Sequence, residues 1–289
     1  MKNQAGTSVV ELLVASGIML AASAAVLTLV NRSLAQSPKW NDDADLHQRA
    51  RVAAEVITRV LSAAGASVPN SAGVPVFPAI EPRRRSAFTP ASSAVTVRYA
   101  PEGGAWSTIA ADLLPGDGTV EIAAPPGCPT DVIACGFGAA DDVALLDGAG
   151  GWHLLVVEGV TPPTLSIADR VPGRTATFRA GATIAELVET SLYFDRPSGV
   201  LRQEGPGDGD FPLVDRVADL RFVFLGAGQA PLPLSALMDG PLCGSGSLAY
   251  DCDVHRIRTV RAVLRISPVR AGDPDLGVVV DVSPRNVQR

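Results

Sequence analysis

Residues 12–30 carry no charged side chain, and this run of 19 residues limits what the chain can become. At about 1.5 Å of rise per residue, a helix over it nearly spans a hydrocarbon core about 30 Å thick. Lys2 lies on its N-terminal side. A cation there predicts a cytoplasmic N-terminus, with the bulk of the chain across the membrane. Glu11 stands at the start of the run, where a lone carboxylate is costly to bury and calls for a positively charged partner.

The remaining composition excludes several functions. Of 289 residues, 47% are apolar and 19% charged, which argues against wholesale disorder. The net charge of −6 argues against a nucleic-acid binder working through a basic face. Lysine occurs only at Lys2 and Lys39, so the body of the chain has no phosphate-loop lysine. The sequence contains no G-x-S-x-G and no H-E-x-x-H. Of its three histidines only His153 and His255 lie beyond the N-terminal region, and His153 sits in an apolar run beside Trp152. We therefore expect no catalytic residues, no metal and no cofactor.

Gly6, followed by an apolar helix with Glu11 at the fifth position after the glycine, resembles the class III signal of type IV prepilins and type II secretion pseudopilins. The resemblance implies cleavage between Gly6 and Thr7 by a prepilin peptidase and N-methylation of Thr7. It also implies that Glu11 pairs with an N-terminal amine during assembly. The family usually has phenylalanine after the glycine, and this chain has Thr7. The rival reading is an ordinary secretory signal, cut after Ser33-Leu34-Ala35 and before Gln36. The length of the apolar run and the position of Glu11 speak against it.

Beyond residue 30 the sequence turns polar, and Pro38 predicts an end or a kink in the helix. A second helical pattern covers residues 42–64. Val52, Val56, Val60 and Ala64 recur at i+4, flanked by Ala53, Ile57 and Leu61, while Arg51, Glu55 and Arg59 fall off the stripe. Gly65 supplies the stop. Residues 68–90 read as a Pro- and Ser-rich loop in which Arg83, Arg84 and Arg85 form a solvated turn.

Strand patterns follow at residues 95–99, 143–146, 154–157, 175–179, 187–194, 220–225, 257–266 and 278–280. In residues 257–266, Val260, Ala262, Leu264 and Ile266 face one way, against Thr259, Arg261 and Arg265. That alternation marks a sheet with one buried face. The segment Gly207-Asp208-Gly209-Asp210 reads as a hairpin turn, and Asp251-Cys252-Asp253 as a polar loop. Four cysteines, Cys128, Cys135, Cys243 and Cys252, in an exported body suggest disulfides. Four cysteines allow three connectivities, and we expect the neighbour pairs 128–135 and 243–252.

The expected fold is α+β: a long N-terminal helix, transmembrane then amphipathic, packed on a mainly antiparallel β-sheet head. The segment from Gln48-Arg49-Ala50-Arg51 to Ala63-Ala64-Gly65, Leu220-Arg221-Phe222, and the ending Pro284-Arg285-Asn286-Val287 are similar to PilW-type minor pilins and the related J-type pseudopilins. On that resemblance, residues 1–6 are a leader, 7–36 a transmembrane and assembly helix, 37–65 its amphipathic continuation, and 66–289 a pilin-like head. The implied role is a non-enzymatic subunit that helps start a type IV pilus and sits at its tip. It is held in the inner membrane before assembly and displayed at the cell surface afterwards. Implied partners are the prepilin peptidase, other minor pilins, the major pilin, the inner-membrane assembly platform and a tip adhesin. A J-type pseudopilin is the nearest alternative; a membrane-tethered or secreted periplasmic enzyme or binding module is the alternative of another class.

Overall fold

The computed structural model describes residues 8–67, 78–86, 91–123, 134–148, 151–170, 174, 176–205, 209–240, 242–243, 250–270 and 272–284. One helix, α1 (Val9–Ala63), runs without interruption through Pro38. The expected break at Pro38 is therefore absent. A proline costs the helix one backbone bond and crowds one carbonyl, and well-formed turns on both sides can carry the helix past it. Gly65 ends the helix in the left-handed region (φ 68), and its N–H donates to the Arg98 carbonyl at 2.8 Å. The helix terminus is thereby tied to the sheet.

Two antiparallel sheets receive the C-terminal half of α1. The first comprises β1 (Ile80–Glu81), β2 (Ala94–Tyr99), β9 (Val188–Asp195), β10 (Val200–Glu204) and β11 (Asp210–Val214), in that order. The second has the order β13-β12-β16-β17, with β12 (Val217–Leu225), β13 (Pro231–Leu232), β16 (Thr259–Ile266) and β17 (Leu276–Val282). A short hairpin of β14 (Leu242–Cys243) and β15 (Tyr250–Asp251) stands apart.

Ala53, Ile57, Leu61 and Ala64 of α1 are fully buried, and Ala50 and Val60 nearly so. They share one core with Val95, Val97, Leu192, Phe222, Phe224, Val260, Ala262, Leu264 and Ile266. Burying an Ile or Leu side chain contributes about 1.5–3 kcal/mol, so these few positions fix the helix on the head. The buried stripe centres on Ala53, Ile57 and Leu61, and Val52 and Val56 lie at its half-buried margin. Two ion pairs brace the same half against the head, Arg49 with Asp215 and Arg270 with Asp42 at 3.1 Å, and Arg49 also pairs with Asp45 one helical turn away.

Between β2 and β9, which pair with each other, the chain builds a second body. Six strands close an antiparallel barrel in the order β3-β4-β7-β6-β5-β8. They are β3 (Trp106–Ile109), β4 (Thr119–Ala123), β5 (Asp142–Leu146), β6 (Trp152–Thr161), β7 (Thr164–Asp169) and β8 (Thr183–Glu186). The barrel is filled by Ile109, Val120, Ile122, Val143, Leu145, Leu155, Val157, Leu165, Ile167, Phe178 and Ile184. Strand β5 and the N-terminal half of β6 are buried on both faces, because Ala144, Leu146 and Leu154 point out of the barrel and pack with Leu187 and Trp152. That two-sided burial explains why residues 143–146 and 154–157 read as continuous apolar runs. Strand β4 instead alternates exposed and buried residues over too short a stretch to stand out.

Two expectations need correction. Residues 176–179 form no strand, and Phe178 makes only an isolated bridge to Leu113. Arg83, Arg84 and Arg85 are not a solvated turn; all three are ion-paired, and the Arg85 side chain is only 11% exposed. Arg83 pairs with its near neighbour Glu81 of β1, whereas the carboxylates that hold Arg84 and Arg85 are placed by β9, β10 and the barrel, far away in sequence.

Candidate functional site: the projecting helix and the buried charges behind it

From residue 8 to residue 34, α1 makes no packed contact with the head and stays exposed. Leu12, Leu13, Ile18, Met19, Leu20, Leu27 and Leu29 all present apolar side chains to the surroundings. The segment is long and apolar enough to cross a membrane, and none of it is buried against the protein. An apolar surface of that extent marks a membrane or protein contact. Two of its hydroxyls are compatible with either. Ser16 Oγ donates to the Leu12 carbonyl at 2.8 Å and Thr28 Oγ1 to the Ala24 carbonyl at 2.6 Å, so neither takes an unmet donor into an apolar phase.

Ser8 caps the helix, its Oγ accepting from the Val10 N–H at 3.3 Å. Glu11 lies in the first turn, where the aligned peptide dipoles favour a negative charge. Its side chain is exposed, at the start of the apolar surface. Gly6 and Thr7, the expected cleavage and methylation positions, lie outside the described residues.

Behind the helix, the head encloses a chain of charges that the sequence reading missed. Arg98 on β2 is 3% exposed. Its Nε donates to Glu189 Oε2 at 2.8 Å, its Nη2 to Glu81 Oε2 at 2.6 Å and its Nη1 to the Pro78 carbonyl at 3.0 Å. Burial works against the Arg98 charge, but Glu81 and Glu189 more than restore it, and its pKa is raised. Burial likewise opposes the charge on Glu189; Arg98, Arg170 and Arg85 outweigh it and hold that carboxyl below the usual carboxylate range. A second group gathers on the outer part of the same sheet. Arg84 pairs with Glu204 at 2.8 Å and stacks over Tyr193 at 4.0 Å, and the Tyr193 hydroxyl donates to Asp210 at 2.6 Å. Only the alternation of Thr96 and Arg98 with Val95 and Val97 hinted at a polar strand face here; it did not show that the face is covered.

Among the cysteines, Cys135 and Cys252 are disulfide-bonded, and no described cysteine is free. Cys128 and the side chain of Cys243 lie outside the described residues, as does the expected pairing through them. Residues 252–256 form a 3-10 turn that Asp251 caps, accepting from the Asp253 N–H at 2.8 Å.

The two histidines of the head lie in different bodies. His153, on β6, is buried, with Nε2 3.3 Å from Asp169 Oδ1. Burial lowers its pKa, Asp169 offsets part of that, and Arg174 adds to it. His255 lies in the 3-10 turn before β16, its pKa lowered by burial and then by Arg258. Among the described residues, the His153 imidazole has no hydrogen bond to a serine, threonine or cysteine side chain. No protein-family model matches the sequence, and a comparison with curated proteins finds no match.

Proposed function

We propose that this protein is a non-enzymatic assembly subunit of the type IV pilin class, of the PilW-type minor pilin kind. One observation carries the reading: a single helix has two unlike halves. Residues 8–34 are bare and apolar, whereas Ala53, Ile57, Leu61 and Ala64 are locked into the core of a β head. A helix of this design can sit in the inner membrane and then exchange lipid for neighbouring helices without disturbing the head. The leader-like residues at Gly6 and Thr7 and the carboxylate at Glu11 support the same role. In it, Glu11 is neutralised by the new amine of Thr7, in the same subunit or an adjacent one. On this reading the head faces outward at the tip of the fibre, after assembly with other minor pilins and the major pilin.

Mass spectrometry of the N-terminal peptide, from membrane and from sheared-surface fractions, tests the proposal. A peptide beginning at Thr7, with or without a methyl group, is the expected result. A peptide beginning at Gln36 would overturn it in favour of an ordinary secreted protein. If the Thr7 peptide is found, co-purification of pilus subunits is expected. Recovery of secretion pseudopilins in their place would reassign the chain to the J-type class.

A further inference from the structure

The barrel joins the rest of the protein by two backbone crossings, residues 100–105 and residue 187. Both leave the same end of the β2–β9 ladder, whose last paired rung is Tyr99 with Val188. Two adjacent crossings at one end of a ladder resemble a hinge more than a mount. A small apolar cluster at the root comprises Ala144, Leu146, Leu154, Leu187 and Trp152, and Trp152 also packs against the main core. Something further is needed to fix the angle between the two bodies.

Four charged side chains stand at that root in an alternating ring. Asp142 opens β5 of the barrel, and Arg170 follows β7 of the barrel; Glu189 lies on β9, and Arg85 lies beside β1. Each arginine reaches both carboxylates. Arg85 lies 3.5 Å from Asp142 and 3.7 Å from Glu189; Arg170 lies 2.9 Å from Asp142 and 3.7 Å from Glu189. All four side chains are less than 20% exposed, the highest being Arg170 at 19%. Arg98 continues the ring into the sheet through Glu189 and Glu81.

We infer that this ring is a clamp that holds the barrel in one orientation on the sheet and α1, so that the barrel is a rigid extension of the head and not a tethered module. Each body contributes one cation and one anion. Separating the bodies would break the two contacts that cross between them, Arg85–Asp142 and Arg170–Glu189, and leave each body only its internal pair. Closing them satisfies all four at once. Attraction among partly buried charges is screened far less than on the surface, so the clamp holds at physiological salt. The inference stands apart from the assembly reading, because it concerns only how the two bodies of the head are joined.

Pulsed electron-electron spin resonance on the full chain in detergent micelles tests it. Spin labels go on unnatural amino acids at Glu121 of β4 and Val279 of β17, both exposed and neither paired with a ring member. Amide exchange in β6 and β7 reports in parallel whether the barrel remains folded. The wild type is expected to give a single narrow distance peak. The joint variant Asp142→Asn with Arg170→Gln is expected to give a broad or multiply peaked distribution while the barrel amides stay protected. A broad wild-type distribution, or a joint variant as narrow as the wild type, would overturn the clamp. If the joint variant loses barrel protection, Arg85→Gln removes a ring member from the sheet side and carries the same reading. Loss of barrel protection there too would make the ring part of the barrel's own fold and overturn the inference.

Discussion

Arg98 and Glu189 face each other as register partners on β2 and β9, and their buried side chains close a hydrogen-bonded ion pair of 2.8 Å one rung from the barrel root. The backbone ladder and the side-chain pair thus lock the same point twice. Glu81 takes a second face of the same guanidinium at 2.6 Å, so one arginine bridges two buried carboxylates, whose remaining charge Arg83, Arg85 and Arg170 meet.

Removing that arginine should therefore be severe. Arg98→Met leaves Glu81 and Glu189 buried with their main counterion gone, and breaking a buried pair costs about 3–5 kcal/mol. The expected result is a large drop in the denaturation midpoint of the detergent-solubilised chain. Arg261→Ala breaks the exposed pair with Asp281 and should leave the midpoint nearly unmoved. Equal effects from the two variants would contradict the assignment of Arg98 as a hub.

The two halves of α1 should respond oppositely to truncation. Ile57→Ala opens a cavity at a fully buried site and is expected to destabilise the head by about 2–5 kcal/mol. Leu20→Ala, at a side chain 73% exposed, should leave head stability unchanged. Thermal denaturation of both variants checks the contrast.

Glu11→Ala should separate processing from incorporation. The carboxylate is exposed in the first helical turn and touches nothing in the head. On the proposed function, the variant keeps its N-terminal cut but disappears from the sheared-surface fraction, because the amine of Thr7 has lost its partner. Mass spectrometry and quantitative immunoblotting of the two fractions read both effects. Normal surface recovery would remove charge pairing from the account.

Stability should fall on mild acidification. His153 and His255 both have folded-state pKa values lowered from the ordinary 6.5, chiefly by burial. As pH drops below about 6.5 the unfolded chain takes up protons that the folded chain resists, so the unfolded state gains. The loss should develop below about pH 6.5 and level off once the pH has passed beneath the folded values. His153→Gln should flatten the part of that slope belonging to β6. Glu189 contributes in a separate and lower window, because its depressed carboxyl gives stability that is lost only as pH falls through the carboxylate range. Unfolding midpoints at a series of pH values separate the two windows.

Much of the architecture follows from local pattern. The i+4 recurrence through Val52, Val56 and Val60 announces a helix with one buried side. The alternation of Val260, Ala262, Leu264 and Ile266 announces a strand, and each of those four is buried. The hairpin between β9 and β10 is legible at Gly199, whose φ of 65 suits a glycine. Strands β3, β4 and β7 were not legible, because each is short and half polar. The barrel as an insertion was not legible either, since nothing in residues 100–187 says that β2 and β9 are neighbours. The charged face of the first sheet misled for a related reason. Arg84 and Arg85 look solvated when their partners, Glu204 and Asp142 among them, lie dozens of positions away in sequence.

The sequence alone determined that the chain begins with a helix long and apolar enough to cross a membrane, continues as an amphipathic helix, and ends in strands with one buried face. Those are properties of neighbours in sequence, written as runs and periods. The tertiary structure decided that α1 passes Pro38 unbroken, that a closed barrel sits inside the β2–β9 connection, and that Arg98 is buried between two carboxylates. Arg98 and Glu189 are 91 positions apart in sequence, and no local period records such a pair. Burying a charge is favourable only once its counter-charge is in place, and only the assembled sheet brings the two together.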